Sequence, residues 1–133
     1  MNDSPTVMIV DDEQTMRSLL IKLLRQCGCE VIGQAEDGKS AYSLFLDKRP
    51  NILFLDINMP KLNGIELLEK IREEDKEVHI CMVSADAFTD VVKKAAGLGI
   101  SGFIVKPLTI HRIEAFINRT RKAMAAAKTA DAS

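Results

Sequence analysis

Asp11, Asp12, Asp56, Ser84 and Lys106 are the residues whose types and placement point to chemistry in this 133-residue chain. Each stands at or just beyond the end of a short apolar run. Three carboxylates brought within a few ångströms repel one another, so such a cluster needs protons or a cation to compensate it. A hard divalent ion with oxygen ligands meets that need. Magnesium takes few protein carboxylates, keeps several waters and recruits a phosphate oxygen, which suits an incompletely caged site built on loops. Lys106 adds a point charge for a second anionic oxygen, and Ser84 adds a hydroxyl donor. Together these parts would bind a phosphoryl group. Taken singly, each has a plainer role: Asp11 and Asp12 or Ser84 as helix caps, Lys106 as a surface lysine, Asp56 as a turn former. Capping, however, asks for neither a lysine nor a doubled acid.

The elements that must position these groups follow from periodicity. Residues 52–55, Ile-Leu-Phe-Leu, are too short for a buried helix and suit a strand covered on both faces. Pro60 and Asn63-Gly64 are loop and turn chemistry, so Asp56 lies where a central strand gives way to a loop. Residues 7–10 form a similar run that ends at Asp11-Asp12-Glu13, and Met16, Leu19, Leu20, Leu23, Leu24 and Cys27 then recur at helical spacing up to Gly28. Residues 30–35 read as a second strand and 40–48 as a helix burying Ala41, Leu44 and Phe45. Ile65, Leu68 and Ile71 make the stripe of a third helix, whose charged end, 72–77, reads as solvated. Residues 78–83 and 100–105 are the fourth and fifth strands, each followed by a helix, the last carrying Ile110, Ile113, Phe116 and Ile117.

Strands alternating with helices argue for a doubly wound α/β fold around a five-stranded parallel sheet. The order 2-1-3-4-5 sets the first and third strands side by side and brings the ends of strands one, three, four and five to one rim, where ligands bind in such sheets. Residues 1–122 are expected to form one domain, with 123–133 an alanine-rich tail, frayed or disordered.

Composition removes other classes. With 18 basic against 19 acidic residues there is no electrostatic case for nucleic acid or an anionic membrane. No apolar run approaches a membrane span and the start has no signal-like region, so a cytoplasmic location is expected. Cys27, Cys29 and Cys81 read as reduced thiols, and His79 and His111 lack metal-ligand spacing.

The motifs Val10-Asp11-Asp12-Glu13, Leu55-Asp56-Ile57-Asn58-Met59-Pro60 with Gly64, Ser84-Ala85 and Lys106-Pro107 resemble those of the receiver domains of two-component response regulators, over residues 6–122. The chain looks most like the single-domain, chemotaxis-regulator type. The resemblance implies a flavodoxin-like fold with five helices and a phosphoacceptor role for Asp56. The donor would be a sensor histidine kinase, a phosphotransfer protein or a small phosphodonor. It implies magnesium held by Asp12, by Asp11 mostly through water, by Asp56 and by the backbone carbonyl of Asn58, with Lys106 paired to the phosphoryl oxygens. Ser84 and Phe103 would act as a switch, read out by a downstream protein on the face made by helix four, strand five and helix five. A cis bond at Lys106-Pro107 would help aim the ammonium.

Asn58 and Asp86 would border the path of an attacking water, small enough for a short-lived phosphate; a bulky residue at 58 should lengthen its life. Only eleven residues follow Lys122, too few for a DNA-binding or catalytic domain, so a stand-alone regulator acting through protein contacts is expected, unless the chain is a piece of a longer regulator, and monomeric or weakly dimeric on phosphorylation. Arg112, Arg119, Arg121 and Lys122 make the last helix basic, first a solvated face and second a docking surface. Two other classes compete. A haloacid-dehalogenase-like phosphohydrolase would want a second acid where Asn58 stands, and a cap domain. A phosphorylation-independent interaction module would be expected to have lost one of the acids or Lys106.

Overall fold

The inner strands of the sheet are apolar on both faces, and the period of two sorts their side chains into two separate cores. The computed structural model describes residues 4–57, 64–85 and 90–132. In chain order the elements are β1 (Thr6–Val10), α1 (Gln14–Gln26), β2 (Glu30–Ala35), α2 (Gly38–Lys48), β3 (Ile52–Asp56), α3 (Gly64–Glu74), β4 (His79–Ser84), α4 (Asp90–Gly97), β5 (Gly102–Val105) and α5 (Ile110–Ala132). The strands form one sheet in the order β2-β1-β3-β4-β5, every pairing parallel. This is the expected doubly wound arrangement.

Met8, Val10, Leu53, Leu55, Ile80 and Met82 point to one side, where they meet Ala41 and Phe45 of α2 and Ile65, Leu68 and Ile71 of α3. Val7, Ile9, Ile52, Phe54, Cys81 and Val83 point to the other, against Leu20 and Leu24 of α1 and Ile113, Phe116 and Ile117 of α5. Phe54 and Phe116 join sheet to helix in an edge-to-face pair, centroids 5.5 Å apart and planes at 74°. Such a pair contributes about 0.5–1.5 kcal/mol beyond its buried area.

Capping follows local chemistry. Asp37 accepts a bond from the Ser40 amide at 2.8 Å to start α2, and Gly28 and Gly99, with φ of +80° and +85°, turn the chain after α1 and α4.

Several details depart from the sequence-based expectation. Leu19 is 40 % exposed, because Leu20 and Leu24, one turn apart, take the direction facing the sheet and leave Leu19 about 100° round the helix. Strand β5 begins at Gly102 and not at Ile100, since its ladder starts opposite Cys81. Arg72 is not a solvated charge at a helix end. Its guanidinium donates to the carbonyls of Val78 at 2.7 Å, Gly99 at 2.6 Å and Asp75 at 3.3 Å, tying the end of α3 to the turn before β5. Of the basic residues of α5, Arg112, Arg119 and Lys122 are exposed as expected, Arg112 donating to Val105 O and Arg119 lying over the Phe116 ring, whereas Arg121 is half-buried and donates to Cys27 O and Gly28 O. Helix α5 continues to Ala132; most of residues 123–129 are exposed, so alanine's helix propensity sustains it there with little burial.

Candidate functional site

The carboxyl ends of β1 and β3 lie side by side because these strands pair in register, Val10 opposite Leu55. One residue further on stand Asp11, just past the end of β1, and Asp56, the last residue of β3. Both are buried, at 3 % and 2 % exposure, while Asp12 is exposed. Carboxylate oxygens of Asp11, Asp12 and Asp56 all fall within 4.8 Å of one another. From β5 and the turn after it, Lys106 reaches back so that its Nζ donates to Asp56 Oδ2 at 3.3 Å. The Lys106-Pro107 bond is cis.

Ser84 closes the rim from β4. Asp56 pairs with Val83, so Ser84 is the next residue along, buried at 1 % exposure, and its carbonyl accepts the Lys106 amide at 2.7 Å. Phe103 is half-buried and packs against the core on the α2–α3 side of the sheet. The structure thus gathers Asp11, Asp12, Asp56, Ser84 and Lys106 at one rim, with Phe103 on the neighbouring strand. Asn58 and Asp86 lie outside the described residues.

Gly64 begins α3 against this rim. A Cβ on it would lie 3.3 Å from both the carbonyl oxygen of Asp56 and Cα of Ile57, so the absent side chain lets the helix start pack directly on the backbone that carries Asp56.

The electrostatics of the cluster are lopsided. Burial first, and then the nearby carboxylates of Asp56 and Asp12, raise the Asp11 carboxyl to about 6 against the lowering effects of the Glu13 amide and Lys106. Among the described residues, the one ammonium paired with the cluster, that of Lys106, faces three carboxylates, two of them buried. A set of hard oxygen donors, crowded and short of positive charge, fits a divalent cation such as magnesium.

The plainer reading of Asp11 is partly right as well. Its Oδ1 accepts the Glu13 amide at 2.8 Å, a local turn, whereas Glu13 itself makes no side-chain cap for α1. Two contributors carried no sequence signal. Arg17 donates from NH1 to the main-chain oxygen of Asp11 at 2.7 Å and from Nε to Gln34 Oε1 at 2.9 Å. Neither residue belongs to a motif, and only the tertiary structure brings β2 beside the turn that follows β1.

The fold class is that of flavodoxin-like doubly wound proteins, with an acidic, lysine-bearing rim at the carboxyl end of the parallel sheet. The chain belongs to the response regulator receiver domain family, whose model matches residues 7–118. It is 35% identical over 114 residues to the chemotaxis protein CheY of Bacillus subtilis, covering 86% of this chain and 95% of the relative. Its identity to CheY of Thermotoga maritima is 34% over 116 residues, covering 87% and 97%. Among solved structures it is similar to the CheX-CheY-BeF3-Mg2+ complex from Borrelia burgdorferi, with a TM-score of 0.79 and 33% identity over 84% of this chain and 85% of that one. No helix among the described residues is long and apolar enough to cross a membrane.

Proposed function

We propose that the chain is a phosphorylation-controlled signalling switch that accepts a phosphoryl group on Asp56. The observation that carries this reading is the convergence of Asp11, Asp12 and Lys106 on Asp56 at the open rim of the sheet. Magnesium would be held by Asp11, Asp12 and Asp56, with the Asn58 carbonyl as a further ligand; when bound, it supplies charge neutralisation for the phosphoryl oxygens. That a relative was solved as a complex with Mg2+ and BeF3 supports this reading.

In-line phosphoryl transfer asks for positioning and charge neutralisation more than covalent assistance. An Asp56 carboxylate oxygen attacks phosphorus as the bond from phosphorus to the donor's imidazole nitrogen breaks, and the electron pair leaves with the imidazole. The buried floor of the site, Asp56 on β3 with Val83 and Ser84 beside it, fixes the direction of attack. Lys106, anchored through its own amide to Ser84 O, holds a phosphoryl oxygen with its ammonium. Ser84 offers its hydroxyl to another oxygen, and the half-buried Phe103 turns inward as it does so. The face made by α4, β5 and α5 then carries the change to a downstream protein, a population shift between two packings.

The donor is a sensor histidine kinase or phosphotransfer protein, and no external substrate is turned over. Asn58 and Asp86 are the positions proposed to set how quickly water removes the phosphate. Residues 1–122 form the receiver, acting as a monomer or a weak phosphorylation-linked dimer. The test is intact mass after incubation with a small acyl phosphate and magnesium. A labile gain of one phosphoryl group that requires magnesium and is absent in Asp56→Asn is expected. No gain, under conditions that modify a known receiver, would sink the proposal and favour a phosphorylation-independent interaction module.

A further inference from the structure

The acid-bearing turn between β1 and α1 is held from outside the carboxylate cluster. Asp11 donates its amide to Ala35 O of β2 at 3.1 Å, and the carbonyl of the same residue accepts Arg17 NH1 at 2.7 Å. These two bonds grip the backbone on either side of the Asp11 Cα, so they set the plane of the Asp11–Asp12 peptide and with it the directions in which both side chains leave the backbone. Arg17 is in turn fixed by Gln34 Oε1 on β2, at 2.9 Å from its Nε. Helix α1 has no side-chain cap at Glu13 that could hold the turn instead. The arginine is not a counter-charge for the acids: its hydrogen bonds go to a main-chain and an amide oxygen, and the charge paired with the cluster is that of Lys106.

We propose that Arg17, supported by Gln34, is a positioning residue for divalent-cation binding at Asp11 and Asp12. This rests on the magnesium reading of the site. The physical reason is that three mutually repelling carboxylates splay apart unless the backbone beneath them is pinned, and any reorganisation needed to bring them back is subtracted from the binding of the ion. Charge alone makes the opposite prediction: deleting a nearby positive charge should strengthen the binding of a cation. The sign of the effect therefore separates the two.

The experiment is calorimetric titration of magnesium chloride into the wild-type chain and into Arg17→Ala, Arg17→Lys, Gln34→Ala and Arg121→Ala, with amide hydrogen exchange of Glu13 followed by NMR. Arg17→Ala should weaken magnesium binding by about tenfold or more, in the range for residues that orient ligands. Gln34→Ala, which changes no charge, should weaken it less, and Arg17→Lys should recover part of the loss. The Glu13 amide, which donates to Asp11 Oδ1, should lose protection in Arg17→Ala. Arg121→Ala, which releases α5 from the carbonyls after α1, should lower the melting temperature while leaving magnesium affinity unchanged. Unchanged or tighter binding by Arg17→Ala and Gln34→Ala, or an equal loss in Arg121→Ala, would overturn the inference. A wild-type chain that bound no magnesium would overturn the reading beneath it instead. Gln34→Ala, exposed on an edge strand, keeps the test decisive should Arg17→Ala fail to fold.

Discussion

Lys106 and Asp56 are 50 positions apart in sequence, yet the ammonium of one lies 3.3 Å from a carboxylate oxygen of the other. The lysine side chain is 18% exposed and the aspartate side chain 2%, so the pair is only partly screened. Replacing Lys106 by Met keeps the stem and removes the charge. Phosphorylation by a small donor should slow by about a hundredfold, as when an aimed donor is lost from a transition state. The buried Asp56 loses a partner, so the folded state should also weaken by about 1–3 kcal/mol. Mass spectrometry of the phosphorylated form and urea unfolding check the two effects separately, and an undiminished rate would exclude Lys106 from the chemistry.

Crowded carboxylates make the metal-free site a local liability. Because the fold pushes Asp11 up to about 6, Asp11→Asn at pH 8 without magnesium should stabilise the chain by on the order of 2 kcal/mol. The same variant should lose much of the stabilisation that magnesium gives the wild type, which is about 2.7 kcal/mol at a concentration one hundredfold above the dissociation constant. Thermal melts with and without magnesium would show both. A variant that is less stable than wild type without metal would contradict the account.

His79 provides a pH dependence away from the site. It is half-buried at the start of β4, and burial, with the positive charge of Arg72, lowers its pKa below 6.5. Well above pH 6.5 the imidazole is neutral in both states and contributes nothing. As pH falls below 6.5 the unfolded chain takes up the proton first, so the folded state loses stability until the folded pKa is passed. Removing the group by His79→Gln should therefore improve stability relative to wild type as pH drops from 7.5 to 5. Melting curves across that range would reveal it, and a constant difference between the two proteins would rule it out.

Close packing of β5 against α5 depends on a missing side chain. A Cβ on Gly102 would lie 2.6 Å from Cδ1 and 2.7 Å from Cε1 of Phe116, a ring only 2% exposed and wedged against Phe54. Gly102→Ala should cost about 1–3 kcal/mol through overpacking. Denaturant unfolding gives the value; a change below about 0.5 kcal/mol would mean that α5 shifts freely on the sheet.

What the sequence determined by itself was the set of elements and the chemistry at their ends. Apolar runs such as 52–55 and the helical spacing of Leu20 and Leu24 are local consequences of burial, and Asp11, Asp56 and Ser84 were legible because each stands where such a run stops. What only the tertiary structure decided was adjacency. Register between β1 and β3 sets Asp11 beside Asp56, and β5 at the sheet edge lets Lys106 fold back onto β3's end. Arg17, Arg72 and Arg121 were illegible for a related reason: a long guanidinium stem reaches main-chain carbonyls, and a carbonyl has no residue type to read. The charged stretch after Ile71 therefore looked solvated, although Arg72 within it ties α3 to the residue before β4 and to the turn before β5. Periodicity reports which face of an element is buried, but not which distant backbone oxygen lies beneath a side chain five bonds long.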